Sequence, residues 1–203
     1  MRTIILIMLA MSGLSAFSQT KAKDVFAAAP DSIFPLLTTN NRLDCIDLIE
    51  NNMKATVKNK LEQKAEMTAL TDSYLQIKPS ERSVVEIKML NDSVFCLINT
   101  CLGPAPDSRI SFFTRNWEPY AVTFPIPHAT DFWTSVPDSL ARDASFAQRS
   151  LEDLLLIQIS ADKDKPEITL TLQTSELAGK EKEIAQKYTH PLRFRWTGKG
   201  FER

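Results

Sequence analysis

Two histidines, three cysteines, one Asp-Lys-Asp run and a pair of alternate arginines are the residues of this chain whose types and spacing invite chemistry. His128 and His190 each stand beside a proline, Pro127 and Pro191, with no second His, Cys or carboxylate at ligand spacing. A zinc site needs several such groups to converge, so each imidazole reads as a loop side chain bonded to backbone. Asp162-Lys163-Asp164 sets alternate carboxylates in a turn but lacks the glycine and distal glutamate of a dedicated calcium loop, and reads as a solvated hairpin tip. Arg193 and Arg195 alternate on one strand and share a face, where they offer an anion patch or simply solvate the sheet. Five glycines in the whole chain leave little material for a phosphate-cradling loop, and no nucleophile elbow or zincin helix is present. No catalytic residue, metal or cofactor is assigned on this basis. Paired acids of a glycosidase are distant in sequence and would have to be assembled by the fold.

The thiols are Cys45, Cys96 and Cys101. Cys96 and Cys101 fall on the extended run Val94–Cys101. Five strand residues span roughly 16 Å, and an odd separation puts the side chains on opposite faces. A disulfide needs its Cα atoms within about 7 Å. All three cysteines are therefore expected to be unbridged and buried as small hydrophobes, Cys45 beside the apolar face of a helix.

Met1-Arg2 gives a positive start, Ile4 to Met11 is an unbroken run of eight apolar residues, and Ala16-Phe17-Ser18 supplies small residues where a signal peptidase reads. A bilayer core of about 30 Å needs roughly 20 apolar residues, so this run predicts a signal peptide over residues 1–18 and not a membrane span. The expectation is a periplasmic or secreted protein beginning at Gln19, without a lipid, since no cysteine lies near the cut. No later segment is long and apolar enough to be a transmembrane segment. One of the 24 basic side chains, Arg2, lies in the leader, which leaves 23 against 25 acidic ones. That balance argues against nucleic acid as a partner.

An internal repeat organises the remainder. Asp24-Val25-Phe26 with Pro30-Asp31-Ser32-Ile33 returns as Asp131-Phe132-Trp133 with Pro137-Asp138-Ser139-Leu140, and at the same offset Arg42 matches Arg149. Pro-Asp-Ser also reads as a plain helix start, with Asp or Ser as cap. In the first half Ser83–Leu90, Val94–Cys101 and Ile110–Arg115 read as strands, the last followed by Trp117. In the second half Leu154–Ile159, Ile168–Gln173 and Leu192–Trp196 do so, the first of them central to its sheet. Alternation in the last two, with Ile168, Leu170 and Leu172 opposed to Thr169, Thr171 and Gln173, marks antiparallel strands with one wet face. A helix capped by Asn40 or Asn41 and burying Leu43, Ile46, Ile49 and Met53 is inserted in the first half, with further strands around 56–61, 66–71 and 74–78. The second half inserts a charged helical stretch, 176–188. The expected fold is α+β: two repeats of short helices followed by an antiparallel β-meander, residues 24–120 and 131–203.

Pro30-Asp31-Ser32, Asn40-Asn41-Arg42-Leu43-Asp44, Leu70-Thr71-Asp72-Ser73-Tyr74-Leu75 and Pro104-Ala105-Pro106-Asp107-Ser108-Arg109, closing at Trp117, resemble an exported family of the Bacteroidales known as a domain of unknown function, DUF3256. The resemblance covers essentially the whole mature chain. It implies an envelope location and transfers no site residues. It also gives meaning to three Asp-Ser-apolar tripeptides, because exported proteins of that group carry O-linked glycans at such sites. Ser93, in the turn Asn91-Asp92-Ser93, is the foremost acceptor, with Ser32 and Ser139 behind it.

The functional expectation is an exported envelope protein acting as a non-enzymatic binding or interaction module, whose partner is an envelope protein or a glycan. The alternatives are a hydrolase whose carboxylates assemble in the fold and an apolar-ligand carrier. A deep pocket with paired buried carboxylates would mark the first, and a closed apolar cavity the second.

Overall fold

The computed structural model describes residues 19–203, and the predicted leader lies outside the described residues. The chain opens with α1 (Ala22–Ala27) and α2 (Thr39–Glu50). Six strands follow: β1 (Thr56–Lys58), β2 (Lys64–Leu70), β3 (Tyr74–Ser80), β4 (Ser83–Met89), β5 (Val94–Cys101) and β6 (Asp107–Thr114). Each pairs antiparallel with the next, so the first sheet is a six-stranded meander in chain order. Past an extended stretch come 3-10 turns at Ala129–Phe132 and Asp138–Leu140, then α3 (Ala141–Asp153). The second sheet holds β7 (Ile157–Ala161), β8 (Glu167–Leu172), β9 (Leu192–Trp196) and β10 (Phe201–Glu202), with α4 (Gly179–Tyr188) between β8 and β9. Its order is β10-β9-β8-β7, again antiparallel, and Gly198 at φ 98° makes the turn into β10. The fold is α+β. Both halves run helical turn, Pro-Asp-Ser turn, longer helix, meander.

The first sheet is the middle layer. One face takes α1 and α2, joining Phe26, Leu37 and Cys45 to Leu75, Ile77, Ile87, Phe95 and Leu97. The other face meets the second sheet, joining Val94, Cys96, Ile98 and Phe112 to Ile157, Ile159, Ile168, Leu170 and Phe194. Successive side chains of β5 therefore enter different cores, which is why its sequence is apolar without alternation. The second sheet buries one face only, and β9 alternates residue by residue.

Several local expectations are corrected. The α2 cap is Thr38, whose hydroxyl accepts from the Asn41 N–H while the Asn41 amide oxygen accepts from the Thr38 N–H. Ile46 is buried as expected, but Leu43 and Met53 are half-exposed, and Arg42 and Cys45 share the buried face with Ile46. Neither Pro-Asp-Ser segment caps a helix through a side chain: the first is a turn between α1 and α2, and the second enters α3 through its 3-10 turn. Leu154 ends α3 and is half-exposed, so the strand starts only at Ile157. That strand lies at the ladder's edge rather than its centre, and is apolar because the first sheet lies across it.

The three thiols are free, but Cys101 is exposed, because the last residue of β5 runs beyond the covering layers. Burial pushes the Cys45 thiol up to about 11 and the Cys96 thiol up to about 12. Alkylation of native protein should label Cys101 alone, and of denatured, unreduced protein all three. Intact mass checks both, and a bridge would show as two missing adducts after denaturation.

Candidate functional site

The junction between the sheets is polar as well as apolar. An edge strand leaves every second N–H without a ladder partner, and burying such donors unpaired is costly. Side chains of the first sheet meet those of β7. The Ile157 N–H donates to Asp107 Oδ1 at 3.2 Å, the Ile159 N–H to Ser108 Oγ at 2.9 Å and the Ala161 N–H to Glu86 Oε2 at 2.8 Å. Two residues further, the Lys163 carbonyl accepts from Lys88 Nζ at 2.9 Å. Glu86 and Lys88, two residues apart on β4, are both buried. Alternation alone reads such charges as solvent-facing, and so neither was singled out from sequence.

Burial pushes the Glu86 carboxyl up, against the lowering pull of the Ala161 N–H and of Gln76. Tyr74, bonded to Gln76 and facing Glu86, has its hydroxyl pushed well above the usual range, again chiefly by burial. A carboxyl raised in the folded state binds its proton more tightly there than when unfolded. Stability therefore falls as pH rises from the ordinary value of 4.5 through the raised one. Glu86→Gln, which keeps an acceptor for the Ala161 N–H without the charge, should leave stability at neutral pH unchanged or higher. Its advantage over wild type should shrink on acidification. Glu86→Ala should cost about 1–3 kcal/mol by orphaning that donor. Urea titrations at several pH values test the pair.

The other face of the second sheet is open. Across the ladder Arg193 stands opposite Thr169, while Arg195 lies between Glu167 on β8 and Glu202 on β10. Together with Arg203 and Thr197 they line a shallow depression of about 650 Å³. Among the described residues no carboxylate lies at ion-pair distance from Arg193 or Arg195. Their fork-shaped donors are thus available to an outside anion. Arg203, overlooked in the sequence, is placed there by β10, and its guanidinium lies 3.4 Å from His190 Nε2.

The remaining sequence candidates are scattered. His128 is bonded to a carboxylate rather than to backbone: its Nδ1 lies 2.8 Å from Glu152 Oε1, and Glu152 Oε2 accepts the Ala129 N–H at 2.7 Å. Glu152 raises the His128 pKa, and His128 in turn lowers that of Glu152. Both are exposed, in an open groove with Ser145 and Arg149. Arg149 is exposed, whereas Arg42 is buried. At the β7–β8 tip Asp162 Oδ1 accepts the Asp164 and Lys165 N–H groups, a solvated turn. No cluster of three metal-ligating side chains occurs among the described residues. Ser32, Ser93 and Ser139 are all exposed.

Two stacked antiparallel sheets with a helical layer define the class, an α+β protein, and the second sheet leaves an arginine-bearing outer face open. The chain belongs to the family described as a protein of unknown function (DUF3256), which it matches over residues 14–201. It is similar in structure to a domain of an uncharacterized protein from Porphyromonas gingivalis W83, with 24% sequence identity, a TM-score of 0.71, and coverage of 89% of this chain and 96% of that one. At that identity the likeness speaks for the fold. No curated protein matches the chain. Among the described residues no helix is long and apolar enough to cross a membrane.

Proposed function

We propose that this protein is an exported envelope module that binds an acidic glycan through the open face of its second sheet. The observation that carries this is the set of guanidinium groups of Arg193, Arg195 and Arg203 around one depression, with Arg193 and Arg195 free of ion pairs among the described residues. Thr169, Thr197, Glu167 and Glu202 add the hydroxyls and acceptors that suit sugar hydroxyl groups. A protein partner would want an apolar centre to its interface, yet none of the large exposed hydrophobics stands on β7 to β10. A hydrolase built on paired buried carboxylates has less support, since Glu86 is the one buried carboxylate among the described residues and is bonded to the Ala161 N–H. The short apolar run with small residues at 16 and 18 supports a periplasmic or secreted location. In that setting the exposed Ser93, Ser32 and Ser139 are the acceptors offered for O-linked glycans. The common order of elements supports residues 24–120 and 131–203 as copies of one duplicated unit.

The test is retention on an immobilised acidic polysaccharide, with its neutral counterpart as control. Wild type should bind and be released by salt. Arg193→Ala with Arg195→Ala should weaken binding about 10²-fold, from the loss of charge-assisted hydrogen bonds. Equal retention of the double variant, or of wild type on the neutral polymer, would overturn the reading.

A further inference from the structure

The seam holds one group that stability alone does not call for. Lys88 is 1% exposed, and among the described residues it has no carboxylate at ion-pair distance. An apolar side chain of similar volume would fill that space without the cost of stripping water from an ammonium group. Instead its Nζ lies 3.0 Å from Ser73 Oγ and 2.9 Å from the Lys163 carbonyl oxygen. Ser73 occupies the turn between β2 and β3 and is half-buried, so it meets the amine on one side and solvent on the other.

We infer that Ser73 and Lys88 form a nucleophile and base for the transfer of short acyl groups, with the Lys163 carbonyl orienting the amine. A neutral amine has N–H donors and one lone pair. In the structure the amine donates to both Ser73 Oγ and the Lys163 carbonyl, and the Ser73 hydroxyl donates to that same carbonyl at 3.4 Å. On loss of a proton from the amine, an N–H kept on Lys163 leaves the lone pair to accept the Ser73 proton, the division of labour of a nucleophile, a base and an orienting third group. Burial lowers the Lys88 pKa toward this neutral form. Asp162 and Asp164 from the β7–β8 turn oppose that effect. Glu86 on the same strand, Tyr74 on β3 and Cys96 opposite on β5 complete the titratable surroundings.

In the first step Ser73 Oγ bonds to the carbonyl carbon of an ester and its proton passes to Lys88 Nζ. The bond to the leaving alcohol breaks, and the alcohol departs with that proton. Water then attacks the serine ester, giving a proton to Lys88, and the acid is released as Ser73 Oγ recovers it. Ser73 stands on an open turn and not in an apolar pocket, which suits a short acyl group on a large alcohol. The site is separate from the arginine face and does not depend on it.

The full chain is treated with a fluorophosphonate probe, and with p-nitrophenyl acetate as the ester, between about pH 7 and 10, and adducts are mapped by mass. An adduct at Ser73 is expected, forming faster as pH rises, with a midpoint below the ordinary lysine value of 10.5. Ser73→Ala, a change of one hydroxyl on a turn, should abolish the adduct while retention on acidic polysaccharide stays unchanged. Lys88→Met should slow labelling about 10²-fold or more. Should that variant not fold, the pH profile of the wild type decides the role of Lys88. Absence of an adduct at Ser73, a rate indifferent to Ser73→Ala, or a profile flat with pH would overturn the inference.

Discussion

Trp117→Ala should destabilise the protein by about 3–5 kcal/mol, among the largest costs of any single truncation in the chain. Its ring sits where α1 meets β5 and β6, edge-on to Phe95 at 4.8 Å and Phe34 at 6.2 Å, and beside Phe113 at 5.3 Å. The indole N–H donates to the Val25 carbonyl at 2.8 Å, so truncation leaves both a cavity and an orphaned acceptor. The backbone there is held at φ 66°, a conformation the surrounding packing must maintain. Trp117→Phe keeps much of the aromatic contact and should cost less, about 1–3 kcal/mol for the orphaned carbonyl and the smaller ring. Thermal and urea unfolding of the two variants separates the cavity from the hydrogen bond. Equal losses would show that the hydrogen bond is the whole effect.

Arg42→Met is expected to cost about 2–4 kcal/mol, although it exchanges a charge for an apolar side chain of similar length. The guanidinium is buried and donates to the Ala29 carbonyl at 2.7 Å, the Leu37 carbonyl at 3.1 Å, Thr39 Oγ1 at 3.2 Å and Asp31 Oδ1 at 3.1 Å. It is the hub on which the Pro30-Asp31-Ser32 turn folds against α2. Lysine is a poor substitute, since one ammonium does not reproduce the planar fork. Asp31 is 62% exposed on its side of the pair, so Asp31→Asn should change stability by less than about 1 kcal/mol. A large loss in Asp31→Asn would mean that the ion pair matters more than the backbone carbonyls.

Legibility in the sequence followed local periodicity. Val94–Cys101 and Leu192–Trp196 were read with the boundaries observed, because alternation or continuous apolarity is a property of neighbouring residues. Helix boundaries were read less well. Thr38 and Asn41 form a reciprocal cap that competed with two adjacent asparagines, and Arg42 replaces Leu43 on the buried face. The candidate site was half legible: Arg193 and Arg195 share a face by strand alternation, whereas Arg203 joins them only through the pairing of β10 with β9.

What the amino-acid order determined by itself was most of the strands, the α+β class and the two arginines of one face, all of them set by side-chain spacing along a single element; the two-residue β10 was too short to leave such a pattern. The tertiary structure alone decided what covers each element. Stacking the second sheet across the first turned an edge strand into a buried one and turned Glu86 and Lys88 from apparent surface charges into its hydrogen-bond partners. It also set Lys88 against Ser73, a pairing across 15 positions. The physical reason is that alternation says which side chains share a face, while water or protein on that face depends on segments distant in the chain.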